Sequence, residues 1–328
     1  MKELIEGVNK QIAEAIEIGN AAQFGLSGKR ISCVLVCGLG GSGIGGKIVS
    51  QLVADELKVP FLISNEYGIP ACVDEHTLLI ASSYSGNTEE TIAAVKAAQK
   101  RNAEIVVIAS GGELLDMAVE HNWNYLVVPK GQQPRAMLLY SLIQQLFVLN
   151  KYELISDNMI NNLSELATFV GSVRNSVQDE AKRVAVFLHK HTPVIYAASG
   201  FEGIAVRFRQ QLNENAKVLC WHHVLPEMNH NELVGWAGGN EQLAVVYMKT
   251  DFDHPRTSYR WEICKDIIAA KTPSVTEIRA KGKTRLEQNI YLIHLTDWIS
   301  ILLADLKQVD SVEVNVISHL KSEMGKKP

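Results

Sequence analysis

The stretch Cys37-Gly38-Leu39-Gly40-Gly41-Ser42-Gly43-Ile44-Gly45-Gly46 decides how the rest of the chain is read. It follows an apolar run, Ile31 to Val36, patterned as a strand, and precedes a stretch patterned as a helix from about Gly45 to Leu57. Strand, glycine-rich turn and helix in that order open a parallel α/β unit. Six glycines in the nine residues from Gly38 to Gly46 exceed what a tight turn alone requires. Bare backbone N–H groups at the mouth of a helix bind anions, phosphate among them.

Two kinds of phosphate ligand fit that turn. Read literally, Gly38, Gly40 and Gly43 satisfy G-x-G-x-x-G, and Glu66 follows the second strand, where a dinucleotide site needs an acid for the ribose. A sugar phosphate would use the same amides. The loop after the third strand separates the two readings. In Ser82-Ser83-Tyr84-Ser85-Gly86-Asn87-Thr88-Glu89-Glu90-Thr91, four short hydroxyls fall within the seven residues from Ser82 to Thr88. Ser83 and Ser85 alternate with Tyr84 and can point one way together, and Thr88 is suited to cap the following helix. A dinucleotide fold has no use for this second set of hydroxyls, whereas a single terminal phosphate does.

Working outward, strands are expected at Val59–Ser64, Leu78–Ser82, Glu104–Ala109 and Tyr125–Val128, with helices to about Glu17, over Glu89–Arg101 and over Arg135–Leu149. The stretch 151–190 is polar and helical, with one long helix expected from Asp157 to about Leu188. The pattern then restarts: strand Pro193–Ala198, the small-residue turn Ser199-Gly200, helix Ile204–Asn213 and strand Val218–Trp221. A helix near Asn229, strands Leu243–Met248 and Ser274–Arg279 with a helix between them, helix Leu286–Leu306 and a last helix near Val312–Glu323 follow. Both halves therefore read as doubly wound parallel-sheet domains, residues 1–150 and 191–328, joined by the helical connector 151–190.

Composition narrows the function. The chain has 328 residues, 47% of them hydrophobic, enough for two domains. With 21% charged residues and a net charge of −4, it carries no field that would gather nucleic acid or an acidic membrane. Its five cysteines, Cys33, Cys37, Cys72, Cys220 and Cys264, form no C-x-x-C pair and read as buried reduced thiols. The N-terminal segment is amphipathic and carries acids, unlike a signal peptide, and no apolar run is long enough for a bilayer. A cytoplasmic protein is the expectation.

The pairing of GxGGSG with SxSGNTxET resembles the sugar isomerase (SIS) domain, with the phosphate motif retained only in the first half. Three further segments carry residues suited to chemistry. Pro134-Arg135-Ala136 offers a permanent cation for an oxyanion or phosphate. Gln211-Leu212-Asn213-Glu214-Asn215-Ala216-Lys217 ends a helix with a carboxylate, where the dipole disfavours it, an arrangement suited to a general base. The stretch from Trp221 to Glu232 holds His222, His223 and His230 with two acids. It lacks helical metal-ligand spacing, and the side chains of His222 and His223 diverge on a strand end, so His230 is the better acid/base.

PRA, NENAK and NHNE, in this order and spacing, resemble the bifunctional phosphoglucose/phosphomannose isomerase family, and the stretch Val316–Lys321 resembles its final helix. The resemblance implies an aldose–ketose isomerase that interconverts glucose 6-phosphate, and also mannose 6-phosphate, with fructose 6-phosphate, without metal or redox cofactor. It implies that Ser42, Ser83, Ser85, Thr88 and the amides of Gly40 and Gly41 hold the phosphate. Glu214 would carry the proton between C2 and C1, Arg135 would stabilise the enediolate, and His230 with Lys321 would open the ring. It implies a homodimer whose His230 reaches the neighbouring site. The same scaffold without catalysis would be a sugar-phosphate-binding regulator.

Overall fold

The computed structural model describes residues 1–326. Helices α1 (Lys2–Glu6) and α2 (Val8–Ala21) precede β1 (Cys33–Cys37) and α3 (Gly40–Leu52). Then come β2 (Phe61–Ser64), β3 (Thr77–Ser82), α4 (Glu89–Gln99), β4 (Glu104–Ala109), α5 (Gly112–Glu120) and β5 (Asn124–Val127). A 3-10 turn, Pro134–Ala136, leads into α6 (Leu138–Lys151), followed by α7 (Asp157–Asn161) and α8 (Leu166–Leu188). The second half runs β6 (Thr192–Ala198), α9 (Glu202–Ala216), β7 (Trp221–Leu225), α10 (Glu232–Gly235), β8 (Leu243–Lys249), α11 (Pro255–Ala269), β9 (Val275–Arg279), α12 (Arg285–Lys307) and α13 (Asn315–Met324).

The strands form two all-parallel sheets, ordered β2-β1-β3-β4-β5 and β7-β6-β8-β9. Each reverses direction once, between β1 and β3 in the first and between β6 and β8 in the second. Those switch points open a crevice at the carboxyl edge of a doubly wound sheet. Strand residues alternate between faces: Val34 and Val36 enter one core, Leu35 and Cys37 another. The inner faces of both sheets and helices α2, α3, α6, α8, α9 and α12 share one continuous core. The outer faces are covered separately, by α4 and α5 on the first sheet and by α11 with the turns after β7 on the second.

Several elements depart from the sequence expectation. The N-terminal helix breaks at Gly7. Helix α3 starts at Gly40, so much of the glycine-rich stretch lies inside its first turns rather than before them. The expected helix from Asp157 is interrupted between Asn161 and Leu166, and α8 buries Val170, Val177, Ala181 and Val184 in the shared core. Helix α5 has no counterpart in the expectation, because Gly111 and Gly112 at its start read as a loop. Strand β7 occupies Trp221–Leu225, beginning where the expected strand ends. The region near Asn229 forms only short turns and the four residues of α10. Of the five cysteines, all free, Cys33, Cys37 and Cys264 are buried as expected, but Cys72 is exposed and Cys220 half-buried.

Candidate active site

The crevice between the carboxyl ends of β1 and β3 is built by the two loops that the sequence singles out. Gly38, directly after β1, lies so close to β3 that a Cβ there would sit 2.5 Å from the Ser82 carbonyl oxygen, which leaves room for glycine alone. Helix α3 begins two residues later, and the first amides of a helix have no acceptor within it. Those of Gly40 and Gly41 are thereby free for an anion. The Ser42 hydroxyl accepts from the Tyr84 amide at 3.2 Å, locking the two loops together.

The serine loop turns rather than extends. Gly86 N–H donates to the Ser83 carbonyl at 3.1 Å and to its Oγ at 3.2 Å. Ser83 is therefore buried while Ser85 is exposed, and the expected parallel aim of the two hydroxyls gives way to a turn. Thr88 stands at the N-cap of α4, but its hydroxyl makes no capping bond. It pairs with Ser83 Oγ at 2.8 Å instead. Ser85 Oγ accepts from the Asn87 amide at 3.2 Å. Glu66, the acid a dinucleotide would need, is exposed, and its neighbour Asn65 is the residue that reaches the glycine turn, donating to the Gly38 carbonyl.

The 3-10 turn with Arg135 lies directly beside this crevice. A Cβ on Gly41 would sit 3.3 Å from the Pro134 carbonyl oxygen and 3.6 Å from the Arg135 Cα. Arg135 is only 5% exposed. Its Nε donates to Asn215 Oδ1 at 2.8 Å and its Nη1 to Gln133 Oε1 at 3.2 Å. Its Nη2 donates to the carbonyls of Ser311 at 2.7 Å and Val312 at 3.1 Å. Burial lowers the guanidinium's proton affinity, and the nearby Glu214 charge opposes that shift. Glu214, partly exposed near the end of α9, brings Oε2 to 3.6 Å from Arg135 Nη1.

Helix α9 explains why these groups meet. Arg207, Gln211, Glu214 and Asn215 recur at helical spacing and line one face. Arg207 Nη2 holds both Asp297 carboxylate oxygens, at 3.0 and 2.9 Å, and also the Arg135 carbonyl at 2.6 Å. Gln211 adds a third hydrogen bond to Asp297 at 2.8 Å. Burial pushes the Asp297 carboxyl upward, and Arg207 and Gln211 oppose it. Lys217, left-handed at the end of α9, points Nζ at the carbonyls of Glu214, Asp310 and Glu313, at 2.6, 2.8 and 2.7 Å. The segment between α12 and α13 is thus strapped across the end of α9. Arg207 and Asp297 lie outside the segments singled out in the sequence, and Gln211, Asn215 and Lys217 carry no expected role there; the polar stripe on a helix otherwise bound for the core is the signal that points to them.

The chain by itself brings Glu214 and Arg135 together but not the remaining two candidates. Among the described residues, no hydrogen bond or ion pair joins His230 or Lys321 to either of them. His230 is exposed on the 3-10 turn Glu227–His230, and Lys321 lies on α13, which buries no residue. His222 lies within β7, 3.9 Å from Glu202, and burial lowers its proton affinity. Among the described residues, no three His, Cys, Asp or Glu side chains are grouped as a metal would need.

Residues 31–152 match the SIS domain family and residues 177–324 match the family described as the bacterial phospho-glucose isomerase C-terminal SIS domain. A bifunctional phosphoglucose/phosphomannose isomerase of Caldicellulosiruptor bescii is 36% identical over 336 aligned positions, covering 99% of both chains. The chain belongs to the bifunctional phosphoglucose/phosphomannose isomerase family. A second relative of that name, from Aquifex aeolicus, is 34% identical over 89% of this chain and 90% of its own. Among solved structures, the C-terminal domain of glucosamine-fructose-6-phosphate aminotransferase from Francisella tularensis superposes with a TM-score of 0.75, covering 95% of this chain and 98% of that one. At 13% identity this likeness concerns the fold alone. The expected architecture, two SIS-type parallel-sheet domains, is the one observed.

Proposed function

We propose that this protein is an aldose–ketose isomerase that interconverts glucose 6-phosphate and mannose 6-phosphate with fructose 6-phosphate. The observation that carries this reading is the adjacency of Glu214 and Arg135, beside a crevice lined with phosphate-binding groups. A carboxylate base, a cation for the developing oxyanion and an anchor that fixes the open chain are what an enediol isomerisation needs. A regulator that only held sugar phosphate would have no use for the first two.

In this reading the first half, residues 1–150, anchors the phosphate through Ser42, Ser83, Ser85, Thr88 and the amides of Gly40 and Gly41. The second, residues 191–328, approaches across the connector 151–190 and supplies the base. Glu214 removes the C2 proton of the aldose, electrons shift to the carbonyl oxygen, and a cis-enediolate forms against Arg135. The O2 hydroxyl proton passes to O1, and the same carboxyl returns its proton to C1, giving the ketose with its carbonyl at C2. The donor set is complete for this proton transfer without a metal or redox group.

His230 belongs to the ring-opening step, supplied by a second subunit of a homodimer. Its exposure on a turn beyond β7, with no hydrogen bond or ion pair to its own chain's Glu214 among the described residues, supports that arrangement. Lys321 is assigned to the same step. Five free cysteines suit a reducing cytoplasm and a place in central sugar-phosphate metabolism.

The test is incubation of fructose 6-phosphate with the purified protein, with no cofactor added, followed by NMR. Glucose 6-phosphate and mannose 6-phosphate should both accumulate. Binding of fructose 6-phosphate without turnover would favour the regulator.

A further inference from the structure

We propose that Asn215 is a positioning residue that aims the Arg135 guanidinium while leaving its positive charge unspent. The inference rests on the isomerase reading above and concerns how that site keeps its cation effective.

Arg135 is buried and its guanidinium makes four hydrogen bonds, to Asn215 Oδ1, Gln133 Oε1 and the carbonyls of Ser311 and Val312. All four acceptors are neutral. The charged groups around it are Glu214, held at 3.6 Å from Nη1, together with Asp310 and Arg207, which act at longer range. A buried arginine is ordinarily matched to a carboxylate through a bidentate fork. Here the fork is filled with amide and carbonyl oxygens. They fix the plane of the guanidinium without cancelling its charge, which is the condition for stabilising an enediolate that forms later.

Asn215 is completely buried, and its amide can be oriented only one way. Ser300 Oγ donates its proton to the Asp297 carbonyl at 2.7 Å. Its lone pairs are therefore left to accept, and Asn215 Nδ2 donates to them at 2.9 Å. That fixes Oδ1 on the opposite side, toward Arg135 Nε. An asparagine can satisfy both neighbours at once. An aspartate has the same shape but would place a buried negative charge against the guanidinium.

The experiment is Asn215→Asp, assayed with fructose 6-phosphate as a function of pH. The expected result is a fall in kcat of about 10- to 100-fold, with KM changed by less than about threefold. The acid limb of the pH profile should move to higher pH, because an added carboxylate favours the protonated form of groups around it. A purely structural role would tolerate this isosteric change or would show only as a lowered melting temperature. If Asn215→Asp does not fold, Ser300→Ala decides instead: it frees the amide to swing, and kcat should fall several-fold at unchanged KM. Turnover and pH profile equal to the unsubstituted protein, in whichever of the two variants folds, would overturn the inference. No turnover by the unsubstituted protein would overturn the isomerase reading and this role with it.

Discussion

Glu214 Oε2 stands 3.6 Å from Arg135 Nη1, beyond hydrogen-bonding distance but within strong electrostatic reach. A base locked in a tight bidentate pair would be reluctant to take a proton. In the proposed mechanism, this separation leaves the carboxylate's lone pairs available for substrate beside the guanidinium charge. Replacing Arg135 by Ala should lower kcat by about 100-fold or more, with a smaller change in KM. It should also lower the melting temperature, since the carbonyls of Ser311 and Val312 lose their donor. Equal losses in KM and none in kcat would assign Arg135 to substrate binding instead.

In the proposed reading, the hydroxyl pair Ser83–Thr88 and the exposed Ser85 form the second wall of the phosphate crevice. The double change Ser85→Ala, Thr88→Ala should raise KM for fructose 6-phosphate by about tenfold or more while kcat falls less, through the loss of two hydroxyl hydrogen bonds to a charged phosphate. Steady-state kinetics with fructose 6-phosphate and with unphosphorylated fructose would check this. A variant and substrate pair that made no difference would remove the anchor from the account.

Gly86 holds the serine loop in shape. Its φ is +70°, and a Cβ there would lie 1.7 Å from the Gly111 carbonyl oxygen. Gly86→Ala should destabilise the protein by more than about 2 kcal/mol, because left-handed strain and overlap with backbone add together. Denaturant unfolding measures it. A change below about 0.5 kcal/mol would mean that the loop has another conformation.

Stability should fall on acidification because of His294. Burial, with some help from Arg174, depresses its proton affinity to a pKa of about 4. The unfolded chain binds the proton near the ordinary value of about 6.5, so between those two values it holds more protons than the folded state. The stabilisation present above pH 6.5 is therefore lost as pH falls toward 4, about 2 kcal/mol by pH 5. His294→Leu should flatten that slope, compared by urea unfolding at pH 7.5 and 5. An unchanged slope would assign the acid sensitivity to other groups.

Much of this molecule is legible in its sequence where local chemistry is unambiguous. The near-continuous apolar strands β1, β3 and β4 emerged within a residue or two, since strands buried on both faces read as hydrophobic runs. Ser42 and Arg135 stood out because small residues and a cation beside turns have few structural uses. Asn215 and Arg207 did not, because an amide or arginine on a helix face reads as solvated until the packing of α12 buries it. The true start of β7 was also hidden, since Val218 and Leu219 carry apolar side chains but Leu219 is largely exposed. Glu214 and His230 lie on different elements, α9 and the 3-10 turn after β7, and no spacing rule reaches their mutual position.

In the proposed mechanism the Glu214 carboxylate shuttles a proton between C1 and C2. The most direct measurement is conversion of fructose 6-phosphate in deuterated water, with the unsubstituted protein and with Glu214→Gln, following deuterium at C2 by NMR. Aldose product carrying deuterium at C2 is expected from the unsubstituted protein, allowing for partial internal return of the original proton. No such product is expected from Glu214→Gln, although that variant still binds the sugar phosphate. Exchange at C2 that persists in Glu214→Gln would contradict this mechanism.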